Sequence, residues 1–193
     1  KGFSFLDVPD LVRQRMSEHD TIIKVLDGID LDIRKGECFG LIGPNGTGKS
    51  TLLRVIAGII PPDSGTVRIH GSLIPLLSLS VGFSGELNAR DNVYQYAMIL
   101  GFSRKEIDRF YDDIFAFAGL EKFQDMPLKN FSTGMRVKLA FSTAMRINPD
   151  ILVLDEVLSV GDAGFKERSK QKILEFCNSD KTVVIVSHSM NTI

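Results

Sequence analysis

The chain has 193 residues with a formal net charge of −1 at pH 7, and 44% of its residues are hydrophobic. A chain of this size and composition can bury a sizeable core, and its balanced charge gives no basic field that would favour nucleic acid. Only two cysteines are present, far apart in sequence, so neither a disulfide framework nor a zinc site is expected and a reducing compartment is favoured. No signal-peptide pattern and no apolar run of membrane-spanning length is found, so we expect any membrane part to come from another polypeptide.

The first third of the chain shows strand patterns before and after one helical pattern. Residues 26–33 alternate apolar and polar positions, which predicts a half-buried strand, and residues 37–42 predict a short buried strand that ends in a glycine-rich loop. Apolar residues at helical spacing then run over residues 52–57 and stop at Gly58. Residues 66–69 predict an edge strand.

The middle of the chain has a different character from its two ends. Apolar and aromatic residues at three- and four-residue intervals predict two amphipathic helices within 88–118, on either side of Gly101. Further on, residues 151–154 and 183–186 are short apolar runs typical of central parallel strands that are buried on both faces. The order of strands and helices predicts an α/β fold with a mostly parallel sheet and an inserted helical lobe.

A glycine-rich loop stands between the buried strand and the first helix. It matches the phosphate-loop pattern GxxxxGK[ST], and the candidate nucleotide-binding residues are Gly43, Pro44, Asn45, Gly46, Thr47, Gly48, Lys49, Ser50 and Thr51. The glycines allow backbone N–H groups to surround phosphates, Lys49 should reach the β- and γ-phosphates, and the Ser50 hydroxyl should bind Mg²⁺. The alternative is a chance glycine-rich turn, which the strand–loop–helix context disfavours.

Two carboxylates follow the apolar run at residues 151–154. Asp155 and Glu156 would stand at the carboxyl end of a central strand, where open α/β sheets bind ligands. We predict that Asp155 holds Mg²⁺ and that Glu156 orients and polarises the attacking water, the alternative being a solvated acidic pair. Together with the phosphate loop this pattern indicates a P-loop NTPase, a class that also includes kinases and GTPases, so these alternatives stay open.

Three further segments resemble the ABC (ATP-binding cassette) family. Residues 131–136, Phe-Ser-Thr-Gly-Met-Arg, resemble the signature motif that opens a helix; taken alone, they could be an ordinary Ser N-cap. Residues 159–162 resemble the D-loop, with Asp162 at the expected spacing, and residues 183–188 resemble the switch strand with its terminal His188. The resemblance runs from about residue 25 to residue 188, in the family's order.

The resemblance implies a single ABC ATPase domain over residues 1–193 with a RecA-like P-loop NTPase core. The core would occupy about 1–74 and 149–193, and the helical lobe about 75–148. It also implies ATP and Mg²⁺ as ligands and a head-to-tail dimer with a second copy of the chain. In that dimer Ser132, Thr133 and Gly134 would contact the ATP held by the partner's phosphate loop, and His188 would contact the γ-phosphate.

Several substitutions, taken together, are similar to one branch of the family. The segments FSTGMRVKLAF, SVGD and VGFSGELNARDNV, with Val157-Leu158 after Glu156, resemble the ATP-binding subunits of O-antigen, capsule and teichoic-acid exporters. This resemblance implies an integral membrane permease as partner and a peripheral location on the cytoplasmic face of the cell membrane. No nucleic-acid partner is expected.

The chain departs from the family pattern at two places. The glutamine that usually stands where the lobe joins the core is replaced in register by Ser80, and no adenine-stacking aromatic is assigned. The family also continues beyond the position of Ile193, so we expect the sequence to be shortened there.

Three alternative functions are open: an exporter of a different substrate, a soluble ABC ATPase acting on nucleic acid or ribosomes, and a P-loop kinase. A soluble ABC ATPase of DNA or ribosomes would carry a long coiled coil or tandem cassettes, whereas no sustained heptads separate Lys49 from Ser132. A P-loop kinase would use the lobe as an acceptor lid, and the signature and D-loop segments disfavour it.

Overall fold

The computed structural model of the chain describes residues 3–7, 23–77, 82–155 and 162–187. Within these residues a sheet of five strands forms, and every neighbouring pair in it is parallel. The strands are β1 (Phe3–Asp7), β2 (Cys38–Ile42), β3 (Leu73–Leu76), β4 (Ile151–Asp155) and β5 (Thr182–Ser187), arranged in the order β1-β2-β5-β4-β3. The predicted α/β class with a mostly parallel sheet is confirmed.

Six α-helices accompany the sheet in the part of the chain that the structure describes. They are α1 (Lys49–Ile56), α2 (Ala89–Ile99), α3 (Arg104–Asp108), α4 (Tyr111–Ala118), α5 (Thr133–Ile147) and α6 (Ala163–Cys177). The chain forms two compact units: one comprises residues 1–77, 150–157 and 174–193, and the other comprises residues 78–149 and 158–173. The first unit contains the sheet and α1, and the second contains α2 to α5 and most of α6.

The core of the first unit lies between α1 and one face of the sheet. Side chains of a strand point alternately to its two faces, so every second residue of β2, β4 and β5 meets the helix. Complete burial of an apolar side chain of this size stabilises the fold by about 1.5–3 kcal/mol. The buried residues of this cluster are Phe39, Leu41, Leu52, Leu53, Val153, Val184 and Val186.

The core of the second unit is rich in aromatic rings. Phe117 of α4, Phe141 of α5 and Phe165 of α6 pack against one another, with ring centroids 5.7–6.2 Å apart. Asn92 of α2 is fully buried there, and its amide nitrogen donates to the backbone oxygens of Ser84, Leu87 and Asn88. The amide thereby fixes the loop that leads into α2.

Two predicted strands are absent from the described residues, and two observed strands were missed. Residues 26–33 form no ladder among the described residues, although Ile29, Leu31 and Ile33 pack against the core as their alternation predicted. Residues 66–69 are irregular, with exposed apolar side chains. The missed strands are β1, for which no strand was predicted, and β3. β3 contains Pro75, and proline is tolerated there because β3 lies at an edge of the sheet.

Residues 88–118 form three helices, α2 to α4, rather than the predicted two. Gly101 lies just beyond α2 with φ +94°, as the prediction of a break there requires. A capping box of Ser103 and Glu106 then begins the short helix α3, which ends before α4 starts at Tyr111.

Candidate functional site

The phosphate loop connects the end of β2 directly to the start of α1, as predicted. Gly46 and Gly48 have φ values of +81° and +86°, a backbone region that glycine enters without strain. A Cβ atom on Gly48 would lie 2.9 Å from the carbonyl oxygen of Val25 and 3.0 Å from a methyl group of Leu26. Gly48 is therefore required both by its backbone angle and by the close approach of the preceding segment.

Lys49 is almost completely buried, with 4% of its surface exposed. Its Nζ donates hydrogen bonds to the carbonyl oxygens of Gly43 at 2.7 Å and Pro44 at 2.6 Å. A buried ammonium group is costly unless acceptors surround it, and the loop backbone supplies them. The Lys49 ammonium group therefore lies at the base of the loop. There a bound anion could accept its hydrogen bonds in place of the two carbonyl oxygens.

The first turn of α1 adds to this positive potential. The helix begins at Lys49, contains no acidic residue in its first turn, and places Ser50 and Thr51 directly after the lysine. Helix N-termini favour anions because their N–H groups and the helix dipole point outward. The loop and the helix start therefore form an arrangement suited to phosphate groups.

Asp155 is the last residue of β4. It lies at the carboxyl ends of the parallel strands, the same end of the sheet at which the phosphate loop leaves β2. One strand, β5, lies between them, which corresponds to about 10 Å between the two strand ends. Because Asp155 alternates with buried Val153, its side chain belongs to the face of the sheet that α1 covers. The sheet thus brings Asp155 and the phosphate loop to one edge and one face.

The residues present fit a magnesium ion bound together with phosphate. Among the described residues no three His, Cys, Asp or Glu side chains cluster as a metal site. Mg²⁺ does not need such a cluster, because it is usually held by one or two carboxylates, water and the phosphates of a substrate. Ser50 and Asp155 are the candidate protein ligands, and the structure leaves them as predictions.

Two predicted catalytic residues, Glu156 and His188, lie outside the described residues. The same holds for Ser80 and for residues 157–161, so the predictions that depend on them remain open. The structure describes the strand residues immediately before them, Asp155 and Ser187, which occupy adjacent strands.

The signature segment opens α5 as predicted. The Ser132 hydroxyl accepts a hydrogen bond from the backbone N–H of Met135 at 3.2 Å, so Ser132 is the N-cap. Ser132 and Thr133 are exposed, and among the described residues a Cβ atom on Gly134 would meet only the Ser132 hydroxyl, at 3.9 Å. The start of α5 is therefore an open surface that another molecule can approach.

Arg136 holds the start of α5 against the turn that precedes it. Its Nε donates to the carbonyl oxygen of Leu128 at 3.1 Å, and an Nη donates to that of Lys129 at 3.2 Å. The signature segment is consequently fixed on both sides, by the Ser132 cap and by this arginine.

Three contacts around these motifs were not predicted from the sequence. Val25 and Leu26 lie against Gly48, Asn92 fixes the loop before α2, and Lys138 of α5 donates to the Asp162 carboxylate. Lys138 and Asp162 are too distant in sequence for a periodic pattern to connect them. Asn92 stands four residues after Asn88, the N-cap of α2. In the sequence it is only a polar residue on a helix face that should be buried, and this does not predict its hydrogen bonds to the preceding loop.

Among the described residues, no helix combines the length and the apolar character needed to cross a membrane.

Comparison with known proteins agrees with these features. A family model described as ABC transporter matches residues 26–159. The chain is 42% identical over 180 residues to the O-antigen export system ATP-binding protein RfbB of Myxococcus xanthus, covering 93% of this chain and 41% of that protein. It is 45% identical over 168 residues to the teichoic acids export ATP-binding protein TagH of Levilactobacillus brevis, covering 87% and 46%. The chain thus spans less than half the length of these relatives.

Solved structures support the fold independently. The dimeric structure of an ATP-binding cassette in a post-hydrolysis state, bound to ADP and Pi, superposes with a TM-score of 0.76 at 23% identity. The alignment covers 95% of this chain and 88% of that one. The family match extends over more than half of the chain, and the phosphate loop, the signature helix and Asp155 occur within it in that order. The chain belongs to the ABC transporter ATP-binding family.

Proposed function

We propose that this chain binds and hydrolyses ATP as the motor subunit of an exporter that moves a cell-surface polysaccharide through a partner membrane protein. The observation that carries the proposal is the buried Lys49 ammonium inside the phosphate loop, at the same sheet edge as Asp155.

The phosphate loop would hold the triphosphate of ATP. Residues 43–51 offer backbone N–H groups and the helix start, and Lys49 would transfer its hydrogen bonds from the loop carbonyls to the β- and γ-phosphates. Ser50 and Asp155 would hold Mg²⁺, which when bound neutralises charge on the phosphates.

Glu156 and His188 are proposed for the hydrolytic step. Glu156 follows Asp155 directly and would accept a proton from the attacking water, so that the water becomes a better nucleophile. His188 follows β5, which lies between β2 and β4, and would donate a hydrogen bond to the γ-phosphate. The protein's contribution is then positioning and electrostatic stabilisation, as in other phosphoryl transfers.

A second copy of the chain would complete each nucleotide site. The exposed start of α5 presents Ser132, Thr133 and Gly134 with no acidic residue in the first turn. A helix start of this kind suits a γ-phosphate. In a head-to-tail dimer it would contact the ATP bound by the partner's phosphate loop.

The proposed substrate class rests on the relatives. One is named for export of O-antigen and another for export of teichoic acids, and each is more than 40% identical to this chain. Both names denote polymers of the cell surface. An integral membrane permease would form the path, with this chain bound peripherally at its cytoplasmic face.

A cellular complementation experiment tests the proposal. In a strain that lacks the gene encoding this chain, we expect surface polysaccharide to be lost and its lipid-linked precursor to accumulate. The unchanged gene should restore export and Lys49→Ala should not, because the only cation inside the loop is removed. Surface polysaccharide is measured by extraction and gel analysis, and ATP binding by calorimetry.

Lys35→Ala is the matched control, since Lys35 is an exposed lysine in the turn before β2. It should restore export fully. Normal surface polysaccharide in the deletion strain would refute the substrate class, and unchanged ATP affinity in Lys49→Ala would refute the nucleotide site.

A further inference from the structure

The two cysteines of the chain are far apart in sequence, yet their side chains meet within the first compact unit. Cys38 is the first residue of β2, and Cys177 is the last residue of α6. Both residues are buried, with 6% and 4% of their surface exposed. The Cys38 S–H donates a hydrogen bond to the Cys177 sulfur. Because the sequence contains no third cysteine, each thiol has one thiol partner within the chain.

The strand pairing of the sheet explains why these two residues meet. Cys38 lies opposite Val183 at the amino end of β5, and the backbone N–H of Val183 donates to the carbonyl oxygen of Glu37 at 2.9 Å. Residues 178–181 lead from Cys177 directly into β5. The end of α6 and the start of β2 are therefore held at the same end of the sheet, and the contact between the thiols follows from that arrangement.

The two thiols differ in reactivity and in access. The hydrogen bond from Cys38 lowers the pKa of the Cys177 thiol, and burial opposes this shift. The same hydrogen bond, and then burial, raise the pKa of Cys38. Helix ends open locally at little cost, and α6 ends at Cys177 beside the exposed Asn178, whereas β2 is paired on both sides. Since the thiolate is the nucleophile in disulfide chemistry, Cys177 should react first.

We propose that Cys38 and Cys177 form a reversible disulfide within the folded chain when its surroundings become oxidising. The oxidant is a low-molecular-weight disulfide such as oxidised glutathione. After the end of α6 opens, the Cys177 thiolate attacks one sulfur of the oxidant and releases a glutathione thiolate, which takes up the proton that Cys38 loses. The Cys38 thiolate then attacks the Cys177 sulfur and releases the second glutathione. The protein loses two electrons, and the oxidant gains them.

The bond would form only in response to oxidation, because a reducing compartment keeps both thiols reduced. Its effect would be on stability. A disulfide between β2 and the end of α6 closes a long loop of the unfolded chain and so favours the folded state. Since the sulfurs are already in contact, the side chains need only small rotations to reach the S–S bond length of about 2 Å. This inference goes beyond the proposed function and does not depend on it.

The test incubates the reduced full chain near pH 8 with increasing ratios of oxidised to reduced glutathione, followed by blocking of free thiols and mass spectrometry. We expect the free thiols to fall from two to none and the intact mass to fall by two hydrogen atoms. Digestion should yield one peptide pair that links Cys38 to Cys177. Tm should rise by several degrees and return to its starting value after dithiothreitol.

Alanine variants separate the roles of the two thiols. Cys38→Ala should stop with one glutathione bound to each chain, because Cys177 can react but nothing displaces the glutathione. Cys177→Ala should bind glutathione much more slowly, because Cys38 lies in a paired strand. The double variant Cys38→Ala/Cys177→Ala is the control, and the oxidant should leave its Tm unchanged. If a variant does not fold, the measurements on the parent chain decide the question.

Several results would overturn the inference. They are two free thiols at the highest glutathione ratio, a parent chain that keeps bound glutathione, and a disulfide that joins two chains, seen on a non-reducing gel. A disulfide that forms only when the chain is refolded from urea with the oxidant would also overturn it, because the folded chain would then not respond to oxidation.

Discussion

Asp150 shows how one exposed side chain can hold two strands in register. It precedes β4, and its Oδ2 accepts hydrogen bonds from the backbone N–H and the hydroxyl of Ser72, which precedes β3, at 2.9 and 2.8 Å. Lys181 approaches its other oxygen at 3.5 Å. The hydrogen bonds from Ser72, and then Lys181, lower the pKa of the Asp150 carboxyl to about 2.

A pH dependence follows from this shift. A carboxyl whose pKa is lower in the folded state stabilises the fold above its unfolded pKa, near 3.8, and that contribution disappears as the pH falls towards 2. We therefore expect Asp150→Asn to lower Tm at pH 7, with a difference that shrinks between about pH 4 and pH 2. Thermal unfolding followed by circular dichroism across this range measures it.

Asp63→Asn, at an exposed loop position, serves as the control and should leave Tm unchanged at each pH. An equal Tm deficit of Asp150→Asn at pH 7 and at pH 2 would contradict the assigned ion pair and hydrogen bonds.

At the scale of single residues, the sequence predicted the residues whose role depends on their neighbours in the chain. Lys49 was predictable because its motif places it beside the glycines whose loop surrounds it. Asn92 and the pair Lys138–Asp162 were not, since their partners depend on tertiary packing that no local spacing encodes. The structure leaves the roles of Glu156 and His188 as predictions.

Among the elements, α5 depends on its first residue. The Ser132 hydroxyl satisfies the N–H of Met135, which is one of the four free N–H groups at a helix start. We expect Ser132→Ala to lower the free energy of unfolding by about 1 kcal/mol, and Ser132→Asp to keep it, because aspartate also caps. Urea denaturation without nucleotide isolates this effect from any contact with ATP.

Thr133→Ala is the neighbouring control, since the Thr133 side chain is exposed and does not cap the helix. Equal stability of Ser132→Ala and the parent would show that the N–H of Met135 is satisfied by water at no cost.

Strands and helices were predictable from the sequence where the pattern of apolar side chains matches the faces that are buried in the fold. The runs that became β2, β4 and β5 are almost wholly apolar because both faces of these strands are buried. Residues 26–33 were predicted as a strand but are not one. Their alternation indicates which side chains pack on the core, but it does not indicate whether the backbone forms hydrogen bonds with a neighbouring strand. β3 was missed because proline in its sequence argues against a central strand, whereas an edge position accepts it.

At the scale of the whole molecule, the proposed dimer makes a prediction about mixed subunits. Lys49→Ala should disable the phosphate loop, and Gly134→Asp should place a negative charge where the partner's γ-phosphate would bind. Each homodimer should be inactive. In the mixed dimer, one site would combine an intact loop with an intact signature, so we expect up to about half of the parental ATPase activity, measured by phosphate release from co-purified, differently tagged chains.

Two observations would contradict this arrangement. Parental activity of the Gly134→Asp homodimer would remove the signature from the site, and a mixed dimer no more active than the two homodimers would contradict independent composite sites.

The placement of the lobe between β3 and β4 has a consequence for the order of folding. These strands are direct neighbours, with Leu73 opposite Ile151, yet the chain traverses the whole lobe between them. Closing so long a loop costs conformational entropy, which grows by about 0.6 kcal/mol for each doubling of loop length. Helices α2 to α5 shorten the path once they form, so we expect the edge strand to join the sheet after the lobe has folded. The edge of β4 would stay open until then, and slower folding of the lobe would expose a nascent chain to aggregation there for longer.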